Sequence, residues 1–273
     1  NYPSYRIHRL MDKEYIPTNE FYNQLKDAIP EEETLLEIPE YHDAIVNMVN
    51  MYARQNMTDN DVWTYTRNRL NYIAKNIVNP VISSFLVDKF VTQYVGDNGT
   101  DHLDEIAPIY NAKVTCPEKK AKFDELCSQW IKITPGQPSP SFKYPDINGQ
   151  DISLSDLAGK YVYIDVWATW CGPCQEELPH LKELEHKYKD KNIHFVSLSC
   201  DKNKATWEKM VKDDKLGGIQ LHCGGDKTFS KAYIIRGIPR FILLDREGKI
   251  IEANMSRPSD PVTDRVLGDL AGI

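Results

Sequence analysis

Long apolar runs are missing from this 273-residue sequence. None approaches the roughly 18 residues that cross a bilayer as a helix, so a soluble chain is expected. A basic surplus is missing too. Against 33 Lys and Arg stand 40 Asp and Glu, a net charge of −7, which argues against a nucleic-acid-binding surface. Cysteine is sparse, and six widely spaced residues exclude a small disulfide-stapled scaffold. Apolar residues are present in ordinary measure, 41%, enough for folded cores and too many for wholesale disorder. The length exceeds the ~150 residues of one ordinary domain and points to two.

The acidity is uneven. Residues 1–134 hold 14 basic and 20 acidic side chains, whereas residues 135–273 hold 19 and 20. Composition changes at the same place. Thr134-Pro135-Gly136-Gln137-Pro138-Ser139-Pro140 cannot continue a helix and reads as an extended linker. The expected domains are therefore residues 1–134 and 135–273.

The first half reads as all-helical. Ile45, Met48, Val49 and Tyr52 recur at helical spacing, as do Trp63, Leu70, Ile73 and Ile77. Asn79-Pro80 predicts a break, with a further helix over Val81–Val95 ending near Gly96. Thr115-Cys116-Pro117-Glu118 has the form of a capping box before Phe123, Leu126, Trp130 and Ile131. Glu31-Glu32-Glu33 reads as a solvated helix start. No chemistry is declared in this half.

After the linker the period changes. Phe142–Ile147 and Asp151–Leu154 flank Asn148-Gly149, a hairpin signal. Tyr161–Trp167 is a near-continuous apolar run, as in a strand buried on both faces. A helix carrying Leu178, Leu181, Leu184 and Tyr188 follows, then a strand at Ile193–Leu198 and a helix around Ala205–Val211. Phe241–Leu244 and Lys249–Ala253 form a second hairpin, and a last helix covers roughly Val262–Leu270. This order predicts an α/β fold, a mixed sheet with helices on both faces and an N-terminal hairpin.

The chemistry lies in Trp170-Cys171-Gly172-Pro173-Cys174, where the buried strand gives way to the long helix. A sulfur at a helix N-terminus meets unpaired N–H groups and the positive end of the dipole, which favour thiolate over thiol. Two cysteines with two residues between them can close and reopen a small disulfide ring, and the strand–CxxC–helix setting is that of a redox motif. A structural zinc site would need a second ligand pair, for which His222-Cys223 is the only adjacent candidate, so no metal or other cofactor is expected. Asp165 interrupts the apolar strand. Buried there, its pKa should rise, which suits a group that takes a proton from Cys174; an outward-facing strand-end residue is the alternative. Ile238-Pro239 opens a strand, where a missing N–H is tolerated.

Tyr161 through Cys174 resembles the active-site strand and loop of thioredoxins. With Leu157-Ala158-Gly159-Lys160 before it and Gln175-Glu176-Glu177-Leu178-Pro179 after it, the stretch is similar to their extracytoplasmic TlpA/ResA-like branch. The resemblance covers residues 135–273. The helical half resembles N-terminal extensions on similar proteins of gut-type Bacteroidetes. The resemblance implies a thioredoxin-like fold and a thiol-disulfide oxidoreductase. Cys171 and Cys174 would be the redox pair, Asp165 the proton acceptor and Glu177 the active-site glutamate. For Glu177 a solvated first-turn acid is the competing reading. Trp170, Gly172, Pro173, Ile238 and a cis Pro239 would receive the substrate chain. Arg240 stands where many relatives have threonine, which would alter docking. The Gly172-Pro173 dipeptide resembles the reducing type, hence a reductase.

The resemblance also implies protein thiols and disulfides as partners, an upstream membrane reductant, and a periplasmic or otherwise extracytoplasmic setting. The chain starts at Asn1 without methionine, so a processed or truncated chain is expected, with a targeting signal or membrane anchor in the full precursor. Two other functions compete: a thiol peroxidase, although the Thr-x-x-Cys spacing is absent around Thr169, and a client-docking protein whose helical half sets partner choice. Cys200 and Cys223 should lie at strand ends, either as a disulfide or as independent buried thiols. Cys116 and Cys127, about 16 Å apart along one helix, are read as packing residues.

Overall fold

The computed structural model describes residues 18–55, 57 and 61–273. The chain divides into two compact units, Asn1–Leu126 and Cys127–Ile273. Among the described residues the first unit is helical: α1 (Asn19–Ala28), a 3-10 turn (Glu33–Glu37), α2 (Pro39–Arg54), α3 (Val62–Asn76), α4 (Pro80–Asn98) and α5 (Leu103–Lys113); α6 (Pro117–Ile131) follows. Short polar side chains start these helices by accepting orphan N–H groups. Asp61 takes Thr64 N at 2.6 Å, and Asn79 takes Val81 N and Ile82 N. Pro39 and Pro80 sit in first turns, where a missing N–H costs nothing.

Three readings change here. α4 runs through buried Gly96 and stops at Gly99, whose φ of +89° suits only glycine. Helix α5 was not foreseen, because Pro108 lies inside it and His102 enters it with φ +60°. Glu31 is not merely solvated. Its Oε2 accepts Val78 N and Asn79 N, both at 2.7 Å, and so caps the α3–α4 break.

In the second unit, β1 (Lys143–Pro145) and β2 (Asp151–Ser153) form a separate antiparallel hairpin. Its turn has Gly149 at φ +82°, with Asp146 Oδ1 accepting Asn148 N and Gln150 N. The main sheet holds β3 (Tyr161–Trp167), β4 (Ile193–Ser199), β5 (Ile219–His222), β6 (Arg240–Leu244) and β7 (Ile250–Met255) in the order β5-β4-β3-β6-β7. β3 is central, parallel to β4 and antiparallel to β6. All seven of its residues are buried, as the apolar run requires. The helices are α7 (Gly172–Lys187), α8 (Lys204–Asp213), the short α9 (Thr228–Ala232) and α10 (Pro261–Gly268).

Leu181 and Leu184 of α7, with Tyr188, pack on Tyr161, Tyr163, Phe195 and Phe241. Each such buried side chain contributes about 1.5–3 kcal/mol. Because alternate residues of a strand share a face, Asp165 points the same way as Tyr163, beneath α7. The proline segment begins with a turn, Gln137 N donating to Thr134 O at 3.1 Å around Gly136 at φ +85°, and is docked on the β6–β7 hairpin. Gly136 N donates to Ile250 O at 2.7 Å, Ile250 N to Gln137 O at 2.8 Å, and Ser139 N to Gly248 O at 3.0 Å.

Candidate active site

Cys171 ends the loop from β3 and is the N-cap of α7. Its sulfur accepts the Cys174 N–H at 3.2 Å, one of the four orphan donors at a helix start. Cys174 lies in the first turn, and the two sulfurs are joined as a disulfide with Cα atoms 5.2 Å apart. Pro173 fits the first turn, where its fixed φ is already helical. A Cβ added at Gly172 would meet nothing within 4 Å, so packing does not demand glycine there. Pro179 lies within α7 and withholds one N–H from the helix ladder.

Trp170 stands 71% exposed beside this buried pair. Across from it the Ile238-Pro239 bond is cis, and Ile238 O lies 3.7 Å from Cys171 Sγ. Arg240 does not face the groove. It is buried, its Nη1 donates to Ala253 O at 3.4 Å, and its guanidinium lies 5.9 Å from the Trp130 ring centre.

Asp165 is 4% exposed, which removes the outward-facing reading. Desolvation pushes its carboxyl up to about 8, helped by the carboxylates of Glu185 and then Glu177, while a hydrogen bond with Ser197 pulls down. Glu185, on α7, is itself pushed up to about 7 by burial, against the pull of Lys182. Its carboxylate lies where a side chain at Gly217 would stand, since a Cβ there would come within 2.2 Å of Oε2. Sequence reasoning missed Glu185; its signal was an acid on the apolar stripe of α7, one residue after Leu184.

Glu177 is not a solvated acid. It is buried, accepts Ser259 N and Ser259 Oγ at 2.9 Å each, and has Arg257 Nη1 at 3.7 Å from Oε1. It ties the first turns of α7 to the loop after β7. Asp201, also missed, braces the loop before Cys171. Buried at the end of β4, it accepts Thr169 N at 2.9 Å, Thr169 Oγ1 at 2.8 Å and Ser199 Oγ at 2.8 Å. The side chain of Gln175 donates to Thr169 O from the other side. Thus the loop Ala168–Trp170 is held on both flanks.

None of the other four cysteines is in a disulfide. Cys127 is buried in α6, but Cys116 precedes that helix and its sulfur donates to Glu118 at 3.3 Å, so it is no packing residue. Cys200 and Cys223 are unbridged yet neighbours, because β4 and β5 set Ser199 opposite His222, one residue before each.

A CxxC pair at the junction of a central buried strand and a helix, with a cis-proline opposite, defines a thioredoxin-like redox domain. A Redoxin family model matches residues 134–267. The thiol-disulfide oxidoreductase ResA of Bacillus cereus (strain ZK / E33L) is 34% identical over 121 residues, 44% of this chain and 69% of that protein. ResA of Bacillus subtilis (strain 168) is 29% identical over 120 residues, 44% of this chain and 66% of that one. A solved structure described as a thiol-disulfide oxidoreductase from Bacteroides vulgatus is 70% identical, covers 49% of this chain and 91% of its own, and superposes with a TM-score of 0.45. The chain belongs to the ResA-like thiol-disulfide oxidoreductases.

Proposed function

We propose that this enzyme reduces disulfides of partner proteins, with Cys171 as nucleophile and Cys174 as resolving thiol. The observation that carries the reading is the Cys171 sulfur capping α7 and taking the Cys174 N–H at 3.2 Å. In the reduced chain that donor and the helix dipole favour the thiolate, which is the attacking form. The Cys171 thiolate breaks the partner's S–S bond, forms a mixed disulfide and releases one partner thiolate. Cys174 then gives its proton to Asp165 and attacks the Cys171 sulfur. The second partner thiolate leaves, and the Cys171–Cys174 disulfide remains. A carboxyl titrating at about 8 is matched to that transfer near neutral pH.

Exposed Trp170, the open face at Gly172-Pro173, and Ile238 O with Pro239 form the surface that would receive an extended partner chain. The expected setting is extracytoplasmic, where disulfides persist, with an upstream membrane reductant returning the pair to dithiol. Among the described residues no helix is long and apolar enough to cross a membrane. The roles of residues 1–134 and 135–273 as separate domains belong to the same proposal, the second carrying the chemistry. Reduction of insulin with dithiothreitol as electron source tests the reading. Catalysis should require both cysteines, and insulin reduction by Cys171→Ser at the wild-type rate would overturn it.

A further inference from the structure

The second unit holds another pair of sulfurs that the redox motif does not use. β4 and β5 run parallel with Ser199 opposite His222, so the next residues, Cys200 and Cys223, leave the two strand ends side by side. Adjacent strands lie about 4.8 Å apart, inside the Cα separation that a disulfide spans. Both backbones are fixed. Cys200 N donates to Trp167 O at 2.8 Å, and Cys223 N donates to Ser199 O at 3.0 Å. Each thiol perturbs the ionisation of the other, so the two side chains are neighbours.

The surroundings suit exchange chemistry. After Cys223 the chain turns back at once: Asp226 N donates to Cys223 O at 3.0 Å, with Gly224 and Gly225 at φ +63° and +83°. Cys223 is the sulfur that ionises first, lowered to about 7, because the Cys200 S–H and the Gly225 N–H donate to it against the push of burial. Cys200, which keeps the shared proton, is pushed up.

We propose that Cys200 and Cys223 are a second dithiol–disulfide couple, distinct from Cys171–Cys174 and closed by a small-molecule disulfide such as oxidised glutathione. The Cys223 thiolate attacks one sulfur of the external disulfide and expels one glutathione thiolate, leaving a mixed disulfide. Cys200 then loses its proton to solvent and attacks the Cys223 sulfur. The Cys200–Cys223 bond forms and the second glutathione thiolate leaves. Two protein thiols lose two electrons, and one glutathione disulfide becomes two thiols. The couple adjoins the active loop, because Cys200 is bonded to Trp167 and its neighbour Asp201 holds Thr169.

Thiol trapping of the full chain tests this. The reduced protein is equilibrated in glutathione buffers of graded ratio, quenched with acid and an alkylating agent, and mapped by peptide mass. Two separate two-electron oxidations are expected, one of them a peptide cross-linked through Cys200 and Cys223, with Cys116 and Cys127 alkylated throughout. In Cys200→Ser a glutathione adduct should persist on Cys223, which has lost its resolving partner. If Cys200 and Cys223 remain alkylated at ratios that fully oxidise Cys171–Cys174, or cross-link only to other cysteines, the proposal is overturned. The wild-type mapping stands without the variant, so a misfolded Cys200→Ser would not blunt the test.

Discussion

Asp88 of the helical unit and Asp165 beneath α7 treat charge out of water in opposite ways. In the helical unit the partly buried Asp88 and Arg69 each have a neighbour that offsets the charge. Asp88 meets Lys119 Nζ at 2.9 Å and the Tyr110 hydroxyl at 2.8 Å. Arg69 lies over the rings of Tyr65 and Phe90, 3.7 and 4.7 Å from their centres. Beneath α7 of the second unit the pattern reverses. Asp165 bonds the Ser197 hydroxyl, while its charged neighbours are the carboxylates of Glu185 and Glu177. A like-charge cluster out of water is a stability cost, and such costs persist where function requires a shifted pKa. Uncompensated burial therefore sets the Asp165 site apart from Asp88, and equally from Glu177 and Asp201 of its own unit, which have hydrogen-bonding partners.

The largest expected effect tests that division at its centre. Cys171→Ser should lower insulin reduction by at least about 10³-fold, since a hydroxyl at the helix start is not a thiolate nucleophile. Asp165→Asn comes next. With no carboxylate to accept the Cys174 proton, resolution of the mixed disulfide should slow by about 10²-fold at pH 7, read by stopped flow.

The same variant should be the more stable protein at high pH. Asp165 has its carboxyl raised from 3.8 to about 8. Below pH 4 the folded and unfolded chains both hold the proton, and the wild type has no handicap. Between about pH 4 and 8 the unfolded chain gives the proton up while the folded chain keeps it. Folding then weakens as pH rises, at up to about 1.4 kcal/mol per pH unit. Above pH 8 the full penalty, on the order of 6 kcal/mol, is present, and asparagine removes it. Urea unfolding at pH 5 and pH 9 reads the difference; equal gains at both would contradict the buried, protonated Asp165.

Asp201→Ala should act on the loop rather than on the proton. Losing the bonds to Thr169 N and Oγ1 leaves two donors unpaired, at about 1–3 kcal/mol. A roughly tenfold drop in reduction rate is expected, with the pH profile unmoved, because the loop before Cys171 loosens while Asp165 stays in place.

Much of this site could be read from the residues, because the carrying signals are local. Tyr161–Trp167 is apolar but for Asp165, so its bounds as a strand agree residue for residue with β3. Cys171 then falls at a strand–helix junction, and Asp165 stands out as the one acid in a buried run. The residues that escaped depend on other elements. Asp201 follows β4 and reads as a turn residue until Thr169 is seen above it. Glu185 reads as a surface acid until Gly217 and Gly218 are seen making room for it. β5 was legible only as the strand end before Cys223, because it has four residues and Gln220 and His222 break the apolar pattern. Helix α5 escaped because Pro108 normally argues against a helix interior. Local pattern placed the CxxC pair, and only tertiary packing revealed the carboxylates around it.

The smallest effect sharpens the comparison from the helical side. Tyr110→Phe keeps the ring that stacks on Phe123, 4.1 Å between centres, and removes only the hydroxyl that Asp88 and Lys119 O accept from. Asp88 retains Lys119 at 2.9 Å, so its charge stays paired. The expected cost is about 1 kcal/mol, the net worth of one hydrogen bond, with no change in reduction rate. Both pH values lie below the ordinary tyrosine pKa of 10, and burial raises that of Tyr110 further, so the loss should be the same at pH 5 and pH 9, unlike the pH-dependent gain of Asp165→Asn. A strongly pH-dependent loss at Tyr110 would place uncompensated charge beside Asp88 as well, and the contrast between the two sites would fail.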